Sequence, residues 1–185
     1  MAEAARARGS VPPLLAIVGK KHVGKTTLVV RVSAELTRRG HRVMILKHGS
    51  HTFSLDPAAT DTYRHYHEGQ AARVAMASPD KFALVSRWAE ERTPEELAAE
   101  FLADADLVLC EGFKRSALPK VEIARREAHA TSLWADGVGD RSTWRAMVTD
   151  APPADFPGAI FPVDADAGVP ALCDWIETHF LLAAR

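Results

Sequence analysis

One eight-residue segment near the amino terminus constrains the fold of this chain more than any other. It reads Gly19-Lys20-Lys21-His22-Val23-Gly24-Lys25-Thr26 and matches the pattern G-x-x-x-x-G-K-[ST]. An apolar run at 14–18 precedes it, and apolar residues then recur at helical spacing until Gly40. A strand, a glycine-bounded loop and a helix in this order are typical of a phosphate-binding loop (P-loop).

The P-loop pattern also predicts chemistry. Successive backbone N–H groups and the positive end of the helix dipole would converge on an anion. We expect the Lys25 ammonium to reach the β- and γ-phosphates of a nucleotide and the Thr26 hydroxyl to bind Mg²⁺. The other residues predicted to surround the phosphates are Gly19, Lys21, His22, Val23, Gly24 and Thr27.

Strand and helix patterns alternate along the chain. This alternation predicts an α/β P-loop NTPase fold with three layers and a mostly parallel sheet. Runs at 72–77 and 81–86, separated by Ser78-Pro79-Asp80, predict an additional antiparallel hairpin. We expect 1–11 to be a flexible tail and 12–185 to form one domain. The polar segment 125–143 has no strong period and is expected to be a mobile loop.

Composition and charge argue against several classes of protein. A net charge of −1 over 185 residues gives no global electrostatic reason to expect nucleic acid or a membrane as partner. No apolar run has membrane-spanning length, and the first residues lack the apolar core of a secretory signal. Cys110 and Cys173 lie in apolar surroundings, as core cysteines of a reducing compartment do. We therefore expect a cytoplasmic protein.

Polar residues follow several predicted strands at the point where each ends. Open α/β sheets bind ligands beyond the carboxyl ends of their strands. Lys47-His48 and Glu111-Gly112 occupy such positions. Glu111 is predicted to hold Mg²⁺, directly or through water, where P-loop proteins usually place an aspartate. Gly112 would let the backbone pass close to a phosphate.

The histidine-rich segment 48–67, which follows the second strand, allows several interpretations. One is a loop that senses phosphate and magnesium, with Asp56 or Asp61 as an outer-sphere ligand and Lys47 or Arg64 facing anions. A solvated loop remains an alternative. A transition-metal site is a third, although the histidine spacing matches no common zinc pattern.

Asp150 ends a strand late in the chain, where many P-loop proteins read the base. A carboxylate there could accept hydrogen bonds from the N1–H and N2–H₂ groups of guanine. A turn or capping role before Pro152-Pro153 explains the residue equally well.

Several motifs in order resemble one known family. They are Gly19 to Thr27, Ile45-Leu46-Lys47-His48, Asp61-Thr62-Tyr63-Arg64-His65, Glu111-Gly112-Phe113-Lys114 and Pro119-Lys120-Val121-Glu122-Ile123. Over about residues 14–180 the chain resembles the molybdopterin-guanine dinucleotide biosynthesis protein B (MobB) family. The Lys-His and Glu-Gly-Phe-Lys motifs are more specific than the P-loop.

The resemblance implies a homodimeric GTP-binding protein with weak Mg²⁺-dependent GTPase activity. It would assist the guanylyltransferase that attaches GMP to molybdopterin. Lys114 and Lys120 would then face the pterin phosphate or that partner. Lys20 falls where some dimeric P-loop proteins keep a lysine that reaches the neighbour's nucleotide, so it joins Lys25 and Glu111 as a candidate catalytic residue.

Two other functions remain open from the residues alone. A small-molecule kinase could use 125–143 as a lid, with Arg125, Arg126 and Arg141 facing the substrate. A nucleotide-dependent metallochaperone could carry its metal on the histidine-rich segment. No glutamine or arginine finger is evident within the chain, so slow hydrolysis is expected.

Overall fold

The computed structural model describes residues 11–49 and 56–182. The chain divides into two compact units, residues 1–48 together with 93–185 (the main unit) and residues 49–92 (the small unit). The tail expected at 1–11 lies outside the described residues except for Val11. One domain over 12–185 stays a prediction.

Within residues 11–49 and 56–182, eight strands and four helices follow one another. They are β1 (Leu14–Val18), α1 (Lys25–Arg38), β2 (Val43–Lys47), α2 (Asp61–His67), β3 (Arg73–Ala77), β4 (Phe82–Ser86), α3 (Pro94–Phe101), β5 (Leu107–Glu111), β6 (Lys120–Ala124), β7 (Trp144–Thr149), β8 (Ala159–Phe161) and α4 (Ala165–Ile176). A 3₁₀ turn at Arg141–Thr143 precedes β7, and a π-helical turn at Glu177–Leu181 continues α4.

The main unit is built on a six-stranded sheet in the order β2-β5-β1-β6-β7-β8. All neighbouring strands in it are parallel. Parallel strands bring their carboxyl ends to one edge of the sheet, so the predicted ligand-binding residues after β1, β2 and β5 meet there. The predicted α/β P-loop fold is confirmed.

Alternating side chains of the sheet enter two cores. Leu15 and Ile17 of β1 pack against α1 and α4, whereas Ala16 and Val18 face the opposite side, on which Ala98 of α3 and Trp134 lie. This is the period of two expected for a strand buried on both faces. The buried residues of α1 are Leu28, Val29, Val32 and Leu36. Their helical spacing places one apolar stripe on the sheet.

Helix starts follow local sequence signals. Thr93 and Glu96 form a capping box at the start of α3, with Pro94 at its first position. The last helix begins at Ala165. Asp164 caps it, because its Oδ1 accepts a hydrogen bond from the Asp166 amide at 2.8 Å.

The segment 125–143 differs from the expected mobile loop. Ser132, Leu133 and Trp134 are buried. The buried carboxylate of Glu122 accepts hydrogen bonds from the amides of Leu133 at 2.5 Å and Trp134 at 3.1 Å. The prediction was wrong because the segment is fixed by long-range partners rather than by a periodic pattern of its own.

Both cysteines are buried, as predicted. Burial raises the pKa of Cys110 and of Cys173 to about 12, so neither thiol ionises near neutral pH.

The small unit contains α2 and the predicted antiparallel hairpin β3–β4. Thr60 caps α2 by accepting from the Tyr63 amide. The Arg87 guanidinium lies 4.0 Å from the centre of the Tyr66 ring. Across residues 11–49 and 56–182, helices long and apolar enough to cross a bilayer are absent.

Candidate nucleotide-binding site

The P-loop connects β1 to α1 in a tight turn against β6. Gly19 has φ +156°, and a Cβ there would meet the carbonyl oxygen of Ile123 and lie 2.9 Å from a methyl group of Val23. Any larger residue would push the loop away from β6. Gly19 therefore fixes where the loop leaves the sheet.

Lys25, the first residue of α1, points back over the loop. Its Nζ donates a hydrogen bond to the Lys20 carbonyl oxygen at 2.5 Å. Burial lowers the pKa of Lys25; the Glu111 carboxylate opposes this shift, while Lys47 and Lys114 add to it. An ammonium with a lowered pKa and two cationic neighbours is stabilised by an incoming anion.

Glu111 joins the ends of three elements. Its Oε1 accepts a hydrogen bond from Thr26 Oγ1 at 2.8 Å and lies 3.1 Å from Lys47 Nζ. The Glu111 side chain is 9% exposed and that of Lys47 is 61% exposed. The structure thus brings together Thr26, at the start of α1, with Glu111 and Lys47, which end β5 and β2.

The hydroxyl of Thr26 and the carboxylate of Glu111 fit a magnesium ion. Both are hard oxygen donors, and Mg²⁺ prefers one or two such protein ligands together with phosphate oxygens and water. Lys47 shares Oε1 with Thr26, and both contacts hold the carboxylate in one place.

A tight turn follows Glu111. Gly112 (φ +98°) and Phe113 (φ +55°) both lie in the left-handed region. The Gly112 amide donates to the Ile17 carbonyl and the His48 amide donates to the Glu111 carbonyl, each at 3.0 Å. The rings of His48 and Phe113 pack at 5.0 Å. This turn ties β2, β5 and β1 together at the edge where the P-loop begins.

A cavity lies beside the first turns of α1. Thr27 and Arg31 of α1 line it together with Arg125 and Asp164, and its walls include Ile123 and Val169. Both apolar and polar side chains line the cavity, and it borders Gly24 of the P-loop.

Lys20 is held within its own chain. Its Nζ lies 2.7 Å from Asp136 Oδ2 and donates to Thr131 Oγ1 at 2.8 Å. A role at a neighbouring subunit's nucleotide would require it to leave these partners, and that role stays a prediction. Two other loop residues, Lys21 and Val23, are held by their carbonyl oxygens, which accept from His129 at 2.7 Å and Arg125 at 3.1 Å.

Asp150 lies at the end of β7 and is engaged locally. Its Oδ1 accepts a hydrogen bond from the Arg126 amide at 3.0 Å. This contact favours the turn role, and Asp150 is not among the residues that line the cavity. Its role in base recognition stays a prediction.

Lys120 does not face a ligand or partner. It is fully buried, and its Nζ donates to the carbonyls of Ser116 and Leu118 and to Thr143 Oγ1. Burial lowers the pKa of Lys120, while Asp140 opposes the shift. The expected contact with an anionic pterin was wrong, because this ammonium holds the β5–β6 connection. Lys114, in contrast, is exposed.

The remaining candidates lie in the small unit. Arg64 Nε is paired with Glu68 at 3.1 Å, and both side chains are 60% exposed. The roles of Arg64 and Asp56 toward phosphate and magnesium stay predictions. His51 lies outside the described residues. Within the described ranges there is no group of three or more His, Cys, Asp or Glu side chains that could hold a metal ion.

Comparison with known proteins decides the family. The model of the family "Molybdopterin guanine dinucleotide synthesis protein B" (MobB) matches residues 14–150. The chain belongs to the MobB family. The match includes the P-loop, Lys47, Glu111 and Asp150, whereas Asp164 and Val169 of the cavity lie beyond it.

Individual relatives agree with this assignment. The chain is 34% identical over 135 residues to the molybdopterin-guanine dinucleotide biosynthesis adapter protein of Escherichia coli K12, covering 70% of this chain and 69% of the relative. It is 34% identical over 121 residues to the adapter protein of the same name from Haemophilus influenzae, covering 62% of this chain and 65% of the relative. The chain thus spans about two thirds of these relatives' length.

Solved structures support the fold. The crystal structure of a MobB homologue from Bacillus stearothermophilus aligns with a TM-score of 0.65 and 26% identity, over 90% of this chain and 99% of that one. A structure of molybdopterin-guanine biosynthesis protein B aligns with a TM-score of 0.67 at 26% identity, over 89% and 98%.

Sequence reasoning missed the contacts that hold the P-loop from outside. His129 and Arg125 lie 108 and 102 residues from their loop partners. Their segment carries no motif, and the arginines within it were interpreted as parts of a lid. The sequence offers one signal for these contacts. The polar segment follows β6, and β6 lies beside β1, the strand that leads into the P-loop.

Proposed function

We propose that this chain binds GTP with Mg²⁺ at the P-loop and acts as an adapter in molybdopterin-guanine dinucleotide biosynthesis. Family membership supports the pathway, and the names of its E. coli and H. influenzae relatives support the adapter role. The proposed partner is the guanylyltransferase that joins GMP to molybdopterin, and the proposed assembly is a homodimer.

One observation carries the nucleotide proposal. The Lys25 ammonium interacts with two further ammonium groups, Lys47 and Lys114, and with the Glu111 carboxylate, which Lys47 also contacts at 3.1 Å. Such a surplus of positive charge at a P-loop stabilises a polyphosphate, which brings several negative charges. Lys25 would contact the β- and γ-phosphates, while Thr26 and Glu111 would hold Mg²⁺, which neutralises charge on the phosphates when bound.

Hydrolysis by this site is proposed to be slow. Fast P-loop GTPases position the attacking water with a glutamine and neutralise charge with an arginine finger. The chain contains a single glutamine, Gln70, whose side-chain amide donates to the His67 carbonyl in the small unit. Lys20 is paired with Asp136 in its own chain. A partner or second subunit would have to supply the missing group.

Titration calorimetry with GTP, ATP and GDP, with and without Mg²⁺, tests the proposal. We expect GTP to bind more tightly than ATP, and Mg²⁺ to strengthen GTP binding. Absence of heat with both triphosphates at millimolar concentration would contradict nucleotide binding. For the adapter role, the purified guanylyltransferase should co-elute with this chain in size-exclusion chromatography, and separate elution at micromolar concentrations would contradict it.

A further inference from the structure

We propose that residues 125–136, here called the loop brace, position the P-loop for phosphate binding through hydrogen bonds to its backbone. The inference rests on the proposed nucleotide binding and assigns positioning roles to His129 and Arg125. Neither residue needs to touch the ligand.

The brace contacts the P-loop at three successive places. Asp136 and Thr131 hold the Lys20 ammonium. His129 Nε2 lies 2.7 Å from the Lys21 carbonyl oxygen, and because a carbonyl can only accept, Nε2 carries the proton. Arg125 Nε donates to the Val23 carbonyl at 3.1 Å.

These contacts surround a strained backbone. His22 has φ +63°, a left-handed conformation that costs a non-glycine residue free energy. Such a conformation persists only where surrounding contacts fix it. The carbonyls on either side of His22, those of Lys21 and Val23, are the two that the brace holds.

The held carbonyls belong to the peptide groups whose amides a P-loop uses. The Lys21 carbonyl shares a peptide plane with the His22 amide, and the Val23 carbonyl shares one with the Gly24 amide. A hydrogen bond to a carbonyl polarises the N–H of the same peptide group and strengthens the bond that it donates. His129 and Arg125 therefore both orient and polarise amides that cradle phosphate.

The brace itself is firmly anchored. The buried Glu122 carboxylate accepts from the Leu133 and Trp134 amides. At the other end, the Arg126 amide donates to Asp150 Oδ1 at 3.0 Å, and within the brace the amides of Ala128 and His129 donate to the Arg125 carbonyl at 3.1 Å. A fixed brace can transmit position to the P-loop.

The test compares two variants of one residue. His129→Leu removes the donor, whereas His129→Gln keeps an N–H near the position of Nε2. Calorimetry with GTP–Mg²⁺ and with inorganic tripolyphosphate should show about tenfold weaker binding of both ligands to His129→Leu. His129→Gln should bind within about twofold of wild type. In ¹⁵N-correlation spectra, the His22 amide should shift in His129→Leu and return in His129→Gln.

Arg125→Ala should weaken both ligands in the same way, while Arg73→Ala, at an exposed position on β3 outside the brace, serves as the control and should bind as wild type. Equal loss in both His129 variants would overturn the proposal, as would weakening confined to GTP, which would indicate direct contact with the nucleoside. If wild type binds GTP and His129→Leu binds it equally well, the proposed role of the brace is overturned while the proposed function stands. Failure of wild type to bind either ligand overturns the proposed function together with the role of the brace.

Discussion

The two ends of helix α1 differ in how their charges are balanced. At its amino-terminal end, Lys25 interacts with two further ammonium groups, Lys47 and Lys114, and with one carboxylate, Glu111. The positive end of the helix dipole adds to this excess. Such an end is unfavourable without a ligand, and burial together with the neighbouring lysines lowers the pKa of Lys25.

At the carboxyl-terminal end, charges are matched one against another. Arg39 bridges α1 and α4, with distances of 2.8 Å to Glu35, 2.6 Å to Asp174 and 2.7 Å to Glu177. His41 Nε2 lies 2.7 Å from the other oxygen of Glu177. Matched charge at one end stabilises the fold, whereas unmatched charge at the other is available to bind an anion. Substitutions at the two ends should therefore separate stability from binding.

Lys25→Ala should have the largest effect. Removing the ammonium should weaken GTP binding by about 100-fold or more, since a charge-assisted contact to phosphate is lost. The melting temperature without ligand should stay equal or rise slightly, because the ammonium is disfavoured in the empty site. Calorimetry and thermal melting measure the two quantities. Lys81→Ala in the hairpin is the control, and unchanged GTP affinity in Lys25→Ala would remove Lys25 from the site.

Glu111→Gln should change the role of magnesium rather than GTP binding itself. Without Mg²⁺, GTP should bind at least as tightly as to wild type, because the variant removes a negative charge that interacts with Lys25 and Lys47. The gain in affinity on adding Mg²⁺ should fall by about tenfold. Calorimetry across a Mg²⁺ series measures this gain, with Glu90→Gln as the matched control. A gain equal to that of wild type would exclude Glu111 as a metal ligand.

Local patterns predicted most of the fold and the centre of the site. The capping residues Thr93 and Glu96 mark a helix start by themselves, and the P-loop identifies its strand and helix. The pair Thr26–Glu111 spans 85 residues of sequence but was still predictable. Glu111 ends β5 and Thr26 follows β1 through the P-loop. Because β1 and β5 are parallel, their carboxyl ends lie at the same edge of the sheet.

Lys120 and the loop brace show where sequence reasoning stops. Lys120 and Glu122 alternate with Val121 and Ile123, so the period correctly separates two faces of β6. This alternation does not show which face of β6 is buried. In the structure, Trp134 lies on the face that carries Lys120 and Glu122. Burial of a lysine depends on carbonyl partners that only the tertiary structure provides. The same holds for His129, whose acceptor lies 108 residues away.

Arg39→Met should lower stability and leave GTP affinity nearly unchanged, the reverse of what we expect for Lys25→Ala. It removes the cation shared by three carboxylates and leaves Glu35 and Glu177 without their common partner. The free energy of unfolding should fall by about 1 kcal/mol, a value kept small because these ion pairs are partly solvated. Urea denaturation measures it, with Arg126→Met as the control. GTP affinity should stay within about twofold of wild type, and a tenfold loss would show that the two ends of α1 are coupled.

The pH dependence of stability should give the smallest effect and identify the matched end most specifically. Hydrogen bonds from Arg38 and Arg39 lower the pKa of Glu35 from 4.5 to about 2, and those from His41 and Arg39 lower that of Glu177. A carboxylate whose pKa is lower in the folded state contributes stability above its unfolded pKa, and this is lost as pH falls toward the folded pKa. The melting temperature of wild type should therefore fall between about pH 4.5 and pH 2 more steeply than that of Arg39→Met. Parallel curves for the two proteins would mean that Arg39 does not hold these carboxylates ionised, and the contrast between the two ends of α1 would then rest on the amino-terminal lysines alone.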